Sequence, residues 1–173
     1  MMTSLSGDRM VPKTDGRICF RGRIDSLEAE TIEAQILASS LGEQYYCNCL
    51  GEVLDCLRNI IAAEVKETPF PPPDLFGLSA EELHRQSHHV TEAFGFVGHP
   101  LQSYTQGPLA ARLNTLRAHI RETELLALQV FCPPNNPIAA SPPPDTNRED
   151  LPHALNRLSS ALYWLYCRKI REE

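Results

Sequence analysis

Proline is the residue that most constrains what this chain can fold into. Four prolines fall in "PFPPPDLFG" at 69–77 and six in "CPPNNPIAASPPPDTNRED" at 132–150. Proline lacks the amide donor of a helix and clashes with the turn before it, so no helix crosses either stretch. Whatever core the chain has must be built from the segments between them. Those segments repeat their apolar residues with a helical period. From about Arg23 to Leu41 the pattern turns Ile24, Leu27, Thr31, Ala34, Ile36, Leu37 and Leu41 inward, and Gly42 is a stop signal. A second helix from about Glu43 to Val65 has Leu50, Val53, Leu54, Leu57, Ile60 and Ile61 as its buried side.

Ser79 followed by Glu82 has the spacing of a capping box and opens a third helix, continuing through Phe94. A fourth runs from about Pro108 to Phe131, proline being tolerated in a first turn, and a fifth from about Leu151 to Arg171. Residues 1–16 carry Gly7, Pro12 and Gly16 without periodicity and read as an irregular arm. No stretch alternates with period two for long enough to be a strand. The expectation is one all-α domain over residues 1–173, a bundle of five helices. Its proline-rich loops, 67–78 and 132–150, are long for a compact bundle, and such loops often serve ligand sites.

Charge narrows the ligand. The net charge of −6 argues against a general nucleic-acid binder, which needs a basic footprint. Residues 1–25 nevertheless hold five Arg or Lys against three Asp, a balance of +2 that leaves −8 for the rest. A basic segment on an acidic protein suits a small anionic ligand; a solvated basic tail is the alternative. No run of about 18 apolar residues spans a membrane, and the first residues lack the apolar core of a secretory signal. A cytoplasmic protein is expected. The six cysteines form no CxxC pair and are expected to be reduced core thiols, with Cys47, Cys49 and Cys56 as a weaker metal-ligand alternative.

The sharpest oddity is "RAHIRETE" at 117–124. On a helical wheel Arg117, Arg121 and Glu124 fall within roughly 60° of one another. That arc overlaps the stripe of Leu113, Ile120, Ala127 and Phe131. Charges on a core-facing arc are costly unless paired or turned to a ligand. Three readings stand side by side: an ion-pair ladder between Arg121 and Glu124, a subunit interface, or an anion site using the planar fork of arginine. Asn156 lies between apolar turns with Ser160 one turn on, either a hydrogen-bonding hub or a ligand contact. Asp25 lies early in the first helix, where a carboxylate is favourable. His84 and His88 lie one turn apart and could share a metal, though "HRQSH" lacks the glutamate of a HExxH hydrolase; solvated histidines are the alternative.

These motifs together resemble the ATP:cob(I)alamin adenosyltransferases. The propanediol-utilisation type has R-x-x-x-R-x-x-E, a later N-R-L-S and an early K…R…G-x-x-D. This chain has Arg117, Arg121 and Glu124, then Asn156-Arg157-Leu158-Ser159, and upstream Lys13, Arg17, Gly22 and Asp25. "RMVPKTD", "ELHRQSH" and "LRAHIRETE" are more similar still to the ethanolamine-utilisation branch, and the resemblance covers about residues 9 to 167. It implies a five-helix bundle, commonly a trimer, with ATP between adjacent subunits. It implies that Arg121 and Lys13 grip the triphosphate, that Glu124 orders the nucleotide end of the site, and that Asn156 hydrogen-bonds ATP. Arg117 would pair with Asp25 across the subunit junction. Arg117, Arg121 and Glu124 are the implied catalytic set.

The implied reaction is attack by the Co(I) of reduced cobalamin on C5′ of ATP, supported by Mg²⁺, with removal of the corrinoid's lower ligand by nearby apolar residues. Phe94 and Phe96 are candidates for that role, with core packing as the alternative. A cob(II)alamin reductase or an adenosylcobalamin-dependent enzyme is the implied protein partner. Three departures keep alternatives open. Ser160 stands where the propanediol type has an acidic residue, the glycine-rich phosphate arm is echoed only by "SGDR", and the ethanolamine type's upstream His…Cys-Cys-x-x-Cys segment has no counterpart here. No metal site is therefore expected. A non-catalytic corrinoid- or nucleotide-binding bundle is the second reading, and a helical interaction protein the third.

Overall fold

The computed structural model of the chain describes residues 1–6, 9–132 and 148–172. Most of the described chain is helical. A β-hairpin of β1 (Met2–Ser6) and antiparallel β2 (Arg9–Pro12) precedes α1 (Gly16–Ser40), α2 (Gln44–Lys66), α3 (Ala80–His88), α4 (Val90–Phe94), α5 (Gly107–Phe131) and α6 (Asp150–Glu172). A 3₁₀ turn at Tyr104–Gln106 leads into α5. α5 packs most broadly on α6, α1 lies against both α2 and α5, and α3 caps α6. No described helix is long and apolar enough to cross a membrane.

The arm is not irregular. Met2 pairs with Pro12 and Thr3 with Val11, while Leu5 and Val11 are buried. Each strand is only four or five residues long and offers one well-buried side chain, too little alternation to register as a period. "SGDR" falls largely outside the described residues, as do residues 133–147 of the second proline-rich loop.

α1 begins at Gly16 rather than Arg23. The Asp15 carboxylate accepts the Arg17 amide at 2.9 Å and caps the helix, and Arg17 and Arg21 are matched by a buried carboxylate described below. Its buried stripe is Phe20, Ile24, Leu27, Thr31, Ala34 and Ala38. Ile36 points outward, about 200° round the helix from Ala34, and Leu41 is exposed because the helix has ended at Ser40. Gly42 at φ +74° makes the turn into α2.

The helix expected over 79–94 is broken at His89, whose φ of −116° and ψ of 51° leave the helical region. Ser79 accepts the Glu82 amide at 3.2 Å, but the Glu82 side chain turns to Arg85 and Gln86, so only half of the capping box forms. The first proline-rich loop is tied down from α6. Asp150 accepts the Phe70 amide at 2.8 Å, Arg148 donates to the Thr68 carbonyl at 2.8 Å, and Phe76 stacks on Trp164.

One apolar core runs through the bundle, with Phe20 and Phe131 meeting edge to face at 5.0 Å. Each large side chain buried in it contributes about 1.5–3 kcal/mol.

Candidate active site

The apolar stripe of α5 points α1 and α6 together, and the charged arc sits on its flank. Leu113, Leu116, Ile120, Ala127 and Phe131 are buried; Arg117 and Glu124 are half-buried and Arg121 is exposed. An arc neighbouring the stripe thus ends at the lip of the bundle rather than inside it. Arg117 donates from Nε to Asn114 Oδ1 at 2.9 Å and lies 5.8 Å over the Tyr163 ring. Glu124 accepts from Asn156 Nδ2 at 3.0 Å across the α5–α6 junction. The Arg121–Glu124 ladder does not form; one carboxylate oxygen accepts from the asparagine instead. Among the described residues the Arg121 side chain has neither an ion pair nor a hydrogen bond.

Two clefts meet at Asn156. The first, of about 440 Å³, is lined by Arg117, Arg121, Asn156, Ser160 and Tyr163 together with His88 and His99, and by no carboxylate. The second, of about 510 Å³, is lined by Glu124, Glu149, Asp150, His153 and apolar Leu128 and Pro152. A basic recess and an acidic one therefore share a single amide wall, whose side chain both joins the helices and faces each cleft. Asn156 is a hub and a cleft residue at once. On α6, Asn156, Ser160 and Tyr163 follow one another at i, i+4 and i+7, which sets them on one face.

Tyr163 shares a 2.9 Å hydrogen bond with His99 Nδ1, tying the 95–103 loop to the basic cleft. Burial raises its hydroxyl, aided by Cys167, so Tyr163 stays protonated at neutral pH. His84 and His88 stand 4.1 Å apart, ring to ring. Burial, then the neighbouring Arg157, His88 and His153, lower the His84 imidazole, which is therefore neutral at pH 7. Among the described residues no three His, Cys, Asp or Glu side chains come together as a metal would require.

An exposed arginine fork without a partner among the described residues, facing a recess whose described lining holds no carboxylate, is an arrangement suited to phosphate oxygens. The sequence profile of cobalamin adenosyltransferases matches residues 1–169. The chain belongs to the cobalamin adenosyltransferase family. It is similar to the corrinoid adenosyltransferases EutT of Salmonella typhimurium (strain LT2) and Escherichia coli (strain K12), being 35% identical to each over 162 residues. Those alignments cover 94% of this chain and 56% of each relative, so the chain spans about half the length of the curated relatives it matches. No solved structure matches it at a significant level.

Within one copy of this cobalamin adenosyltransferase-family chain, Arg117, Arg121, Glu124 and Asn156 are brought together and Lys13 and Asp25 are not. Lys13 and Asp25 are exposed and line neither cleft. Arg117 is held by Asn114 and Tyr163, with no contact to Asp25 of its own chain. Phe94 and Phe96 are half-buried, 6.1 Å apart, with Phe94 tilted against Trp164 at 5.7 Å. Sequence reasoning missed Tyr163 and His99. Tyr163 carried a signal, its helical register with Asn156; His99, in a loop, carried none.

Proposed function

We propose that this chain transfers the 5′-deoxyadenosyl group of ATP to the cobalt of cob(I)alamin, giving adenosylcobalamin and triphosphate. The observation that carries the reading is the Arg121 fork, which has no ion pair among the described residues, at a cleft whose described lining holds no carboxylate beside Asn156, in a chain of this family. The electron pair of Co(I) forms the bond to C5′ while the C5′–O bond breaks, and triphosphate leaves with the former C5′–O bonding pair. No serine, cysteine or histidine nucleophile is required. The protein's work is to hold C5′ in line and to stabilise charge growing on the triphosphate.

Arg121 and Lys13 take the phosphates together with Mg²⁺, and Arg117 fixes the wall of the basic cleft. Glu124 and Asn156 order the nucleoside end. Because Lys13 and Asp25 stand outside the cleft of their own chain, the reading includes a homotrimer in which a neighbour's arm completes the site. Arg117 then meets the partner subunit's Asp25. The broken α3–α4 pair counts as the fifth member of a five-helix bundle, and the protein works in the cytoplasm.

Ser160 on the cleft wall, where the propanediol type has an acidic residue, favours one second reading: binding without turnover. A single experiment separates them. Cob(I)alamin mixed with the protein and Mg-ATP should lose its absorbance at a rate that saturates with ATP. Tight ATP binding with no such conversion would reject the transferase reading in favour of the second, and binding of neither ATP nor cobalamin would reject both.

A further inference from the structure

The N-terminal hairpin is attached to the bundle by an unusual device. Glu64, on α2, is fully buried, and two arginines from α1 share it: Arg17 Nε reaches Oε1 at 2.5 Å and Arg21 Nε reaches Oε2 at 2.6 Å. Arg17 also donates to the Glu64 carbonyl and to Glu67, each at 3.1 Å. Arg21 turns its Nη1 to the Leu5 carbonyl of β1 at 2.5 Å, while its Nη2 is buried with no partner among the described residues. One carboxylate therefore fixes both arginines, and through Arg21 it fixes the strand.

Stability alone does not ask for this. Buried ion pairs gain little over apolar packing of the same volume, and the register of Leu57 and Ile60 on α2 would accept an apolar residue at 64. The hairpin, by contrast, needs an anchor. It buries Leu5 and Val11 and little else, and an isolated two-stranded hairpin is marginal in water. Lys13 follows β2 after Pro12, and its amide closes the hairpin on the Met1 carbonyl at 3.1 Å. Four residues later Arg17 is held on Glu64. The backbone of Lys13 thus lies between two points that both depend on the same buried carboxylate, while its own side chain is exposed.

We infer that Glu64, acting through Arg17 and Arg21, is the positioning residue that holds the hairpin and so aims Lys13 at the ATP phosphates. The inference rests on the proposed role of Lys13. A lysine on a tethered backbone loses less freedom when it binds than one on a loose arm.

The test uses the full chain and measures the ATP dissociation constant by calorimetry, with amide hydrogen exchange as a second readout. Glu64→Gln leaves two arginines short of their counter-charge and is open to misfolding, so Arg21→Lys is made beside it. Arg21→Lys keeps the charge and loses the fork that spans Glu64 and Leu5. The expected result is ATP binding weakened about tenfold. Exchange should quicken in residues 2–12 while the helix amides stay protected. Lys13→Ala should weaken binding too, and the Arg21→Lys/Lys13→Ala double variant should bind no worse than Lys13→Ala alone, because both changes remove one contact. A merely structural ion pair would give additive losses, and additivity overturns the inference. An unchanged dissociation constant in Arg21→Lys overturns it alone, with wild-type ATP binding intact. Absence of ATP binding in the wild type overturns the nucleotide reading and the inference with it.

Discussion

Replacing Arg121 by alanine separates what a residue does for the fold from what it does for a ligand. Its side chain is exposed and makes no bond to the described protein, so its loss removes no internal contact. Surface substitutions of that kind shift stability by about 0.5 kcal/mol or less, which in a chain of this size moves the melting temperature by about 2 °C at most. A bidentate guanidinium–phosphate contact, by comparison, contributes about 1.5–3 kcal/mol, equivalent to a loss of roughly 10- to 150-fold in ATP affinity. Arg121→Lys, which keeps charge but not the fork, should fall between the two. Arg117→Ala is the informative contrast: it breaks the bond to Asn114 and the contact with Tyr163 and should lower the melting temperature as well. The assays are thermal melting by circular dichroism, ATP titration by calorimetry, and the absorbance decay of cob(I)alamin with ATP. Arg121→Ala with full ATP affinity and full turnover would refute the reasoning. A melting temperature lowered by more than about 5 °C would refute it differently, by showing that the residue holds the fold.

Other consequences follow from the packing and the titrating groups. Burial works to raise Asp150, but bonds from Arg148 and the Phe70 amide prevail and hold it below its ordinary range. Its folded value lies under its unfolded one, so this contribution is complete above about pH 4 and fades as the pH drops through the lowered value. Urea curves of wild type and Asp150→Asn should differ by about 1 kcal/mol at pH 7 and converge in strong acid. Burial pushes the Cys56 thiol up to about 12, and burial chiefly pushes Cys49 and Cys167 up to about 11, whereas Cys19 is exposed. A disulfide reagent at pH 8 should label Cys19 in its fast phase, and Cys19→Ser should remove that phase, leaving the half-buried Cys47 and Cys132 to react more slowly and the buried Cys49, Cys56 and Cys167 on unfolding. A Cβ at Gly16 would stand 2.9 Å from Val130 Cγ2. Gly16→Ala should therefore cost about 1 kcal/mol by thermal melting, and Val130→Ala in the same chain should restore part of it.

The helices were legible where the apolar period is strong and its limits are set by residues with one conformational meaning. α5 was expected from Pro108 and starts at Gly107; α6 was expected from Leu151 and starts at Asp150. The errors have one physical origin, structure that depends on distant partners. The first helix was expected only from about Arg23, because Arg17 and Arg21 look like surface charges until Glu64 arrives from another helix. A signal was available: Glu64 occupies the buried register of α2 with Leu57 and Ile60, and a carboxylate there demands cations. The hairpin was illegible for a related reason, since contacts such as the burial of Leu5 and Val11 and the bond from Arg21 give it a place without giving it a period.

The site shows the same division. Arg117, Arg121, Glu124 and Asn156 were readable because polar groups beside an apolar register are costly anomalies, and an anomaly needs a cause. Which cause applied could not be read along one helix. The wheel places Arg121 and Glu124 within reach of one another, and only the approach of α6 shows that Asn156 claims the glutamate. That one hydrogen bond has two effects. It turns one oxygen of the carboxylate toward α6, and it leaves the guanidinium, among the described residues, without a counter-ion at the mouth of a cleft. The lack of an ion pair on Arg121 among the described residues goes together with where Asn156 sits. If the amide were lost, Glu124 would be released toward Arg121 one turn away, and the cleft would lose both its shared wall and its unpaired charge. Asn156→Ala should then weaken ATP binding more than the loss of a single hydrogen bond would, and restoring part of that binding with Glu124→Gln in the same chain would identify the released carboxylate as the competitor.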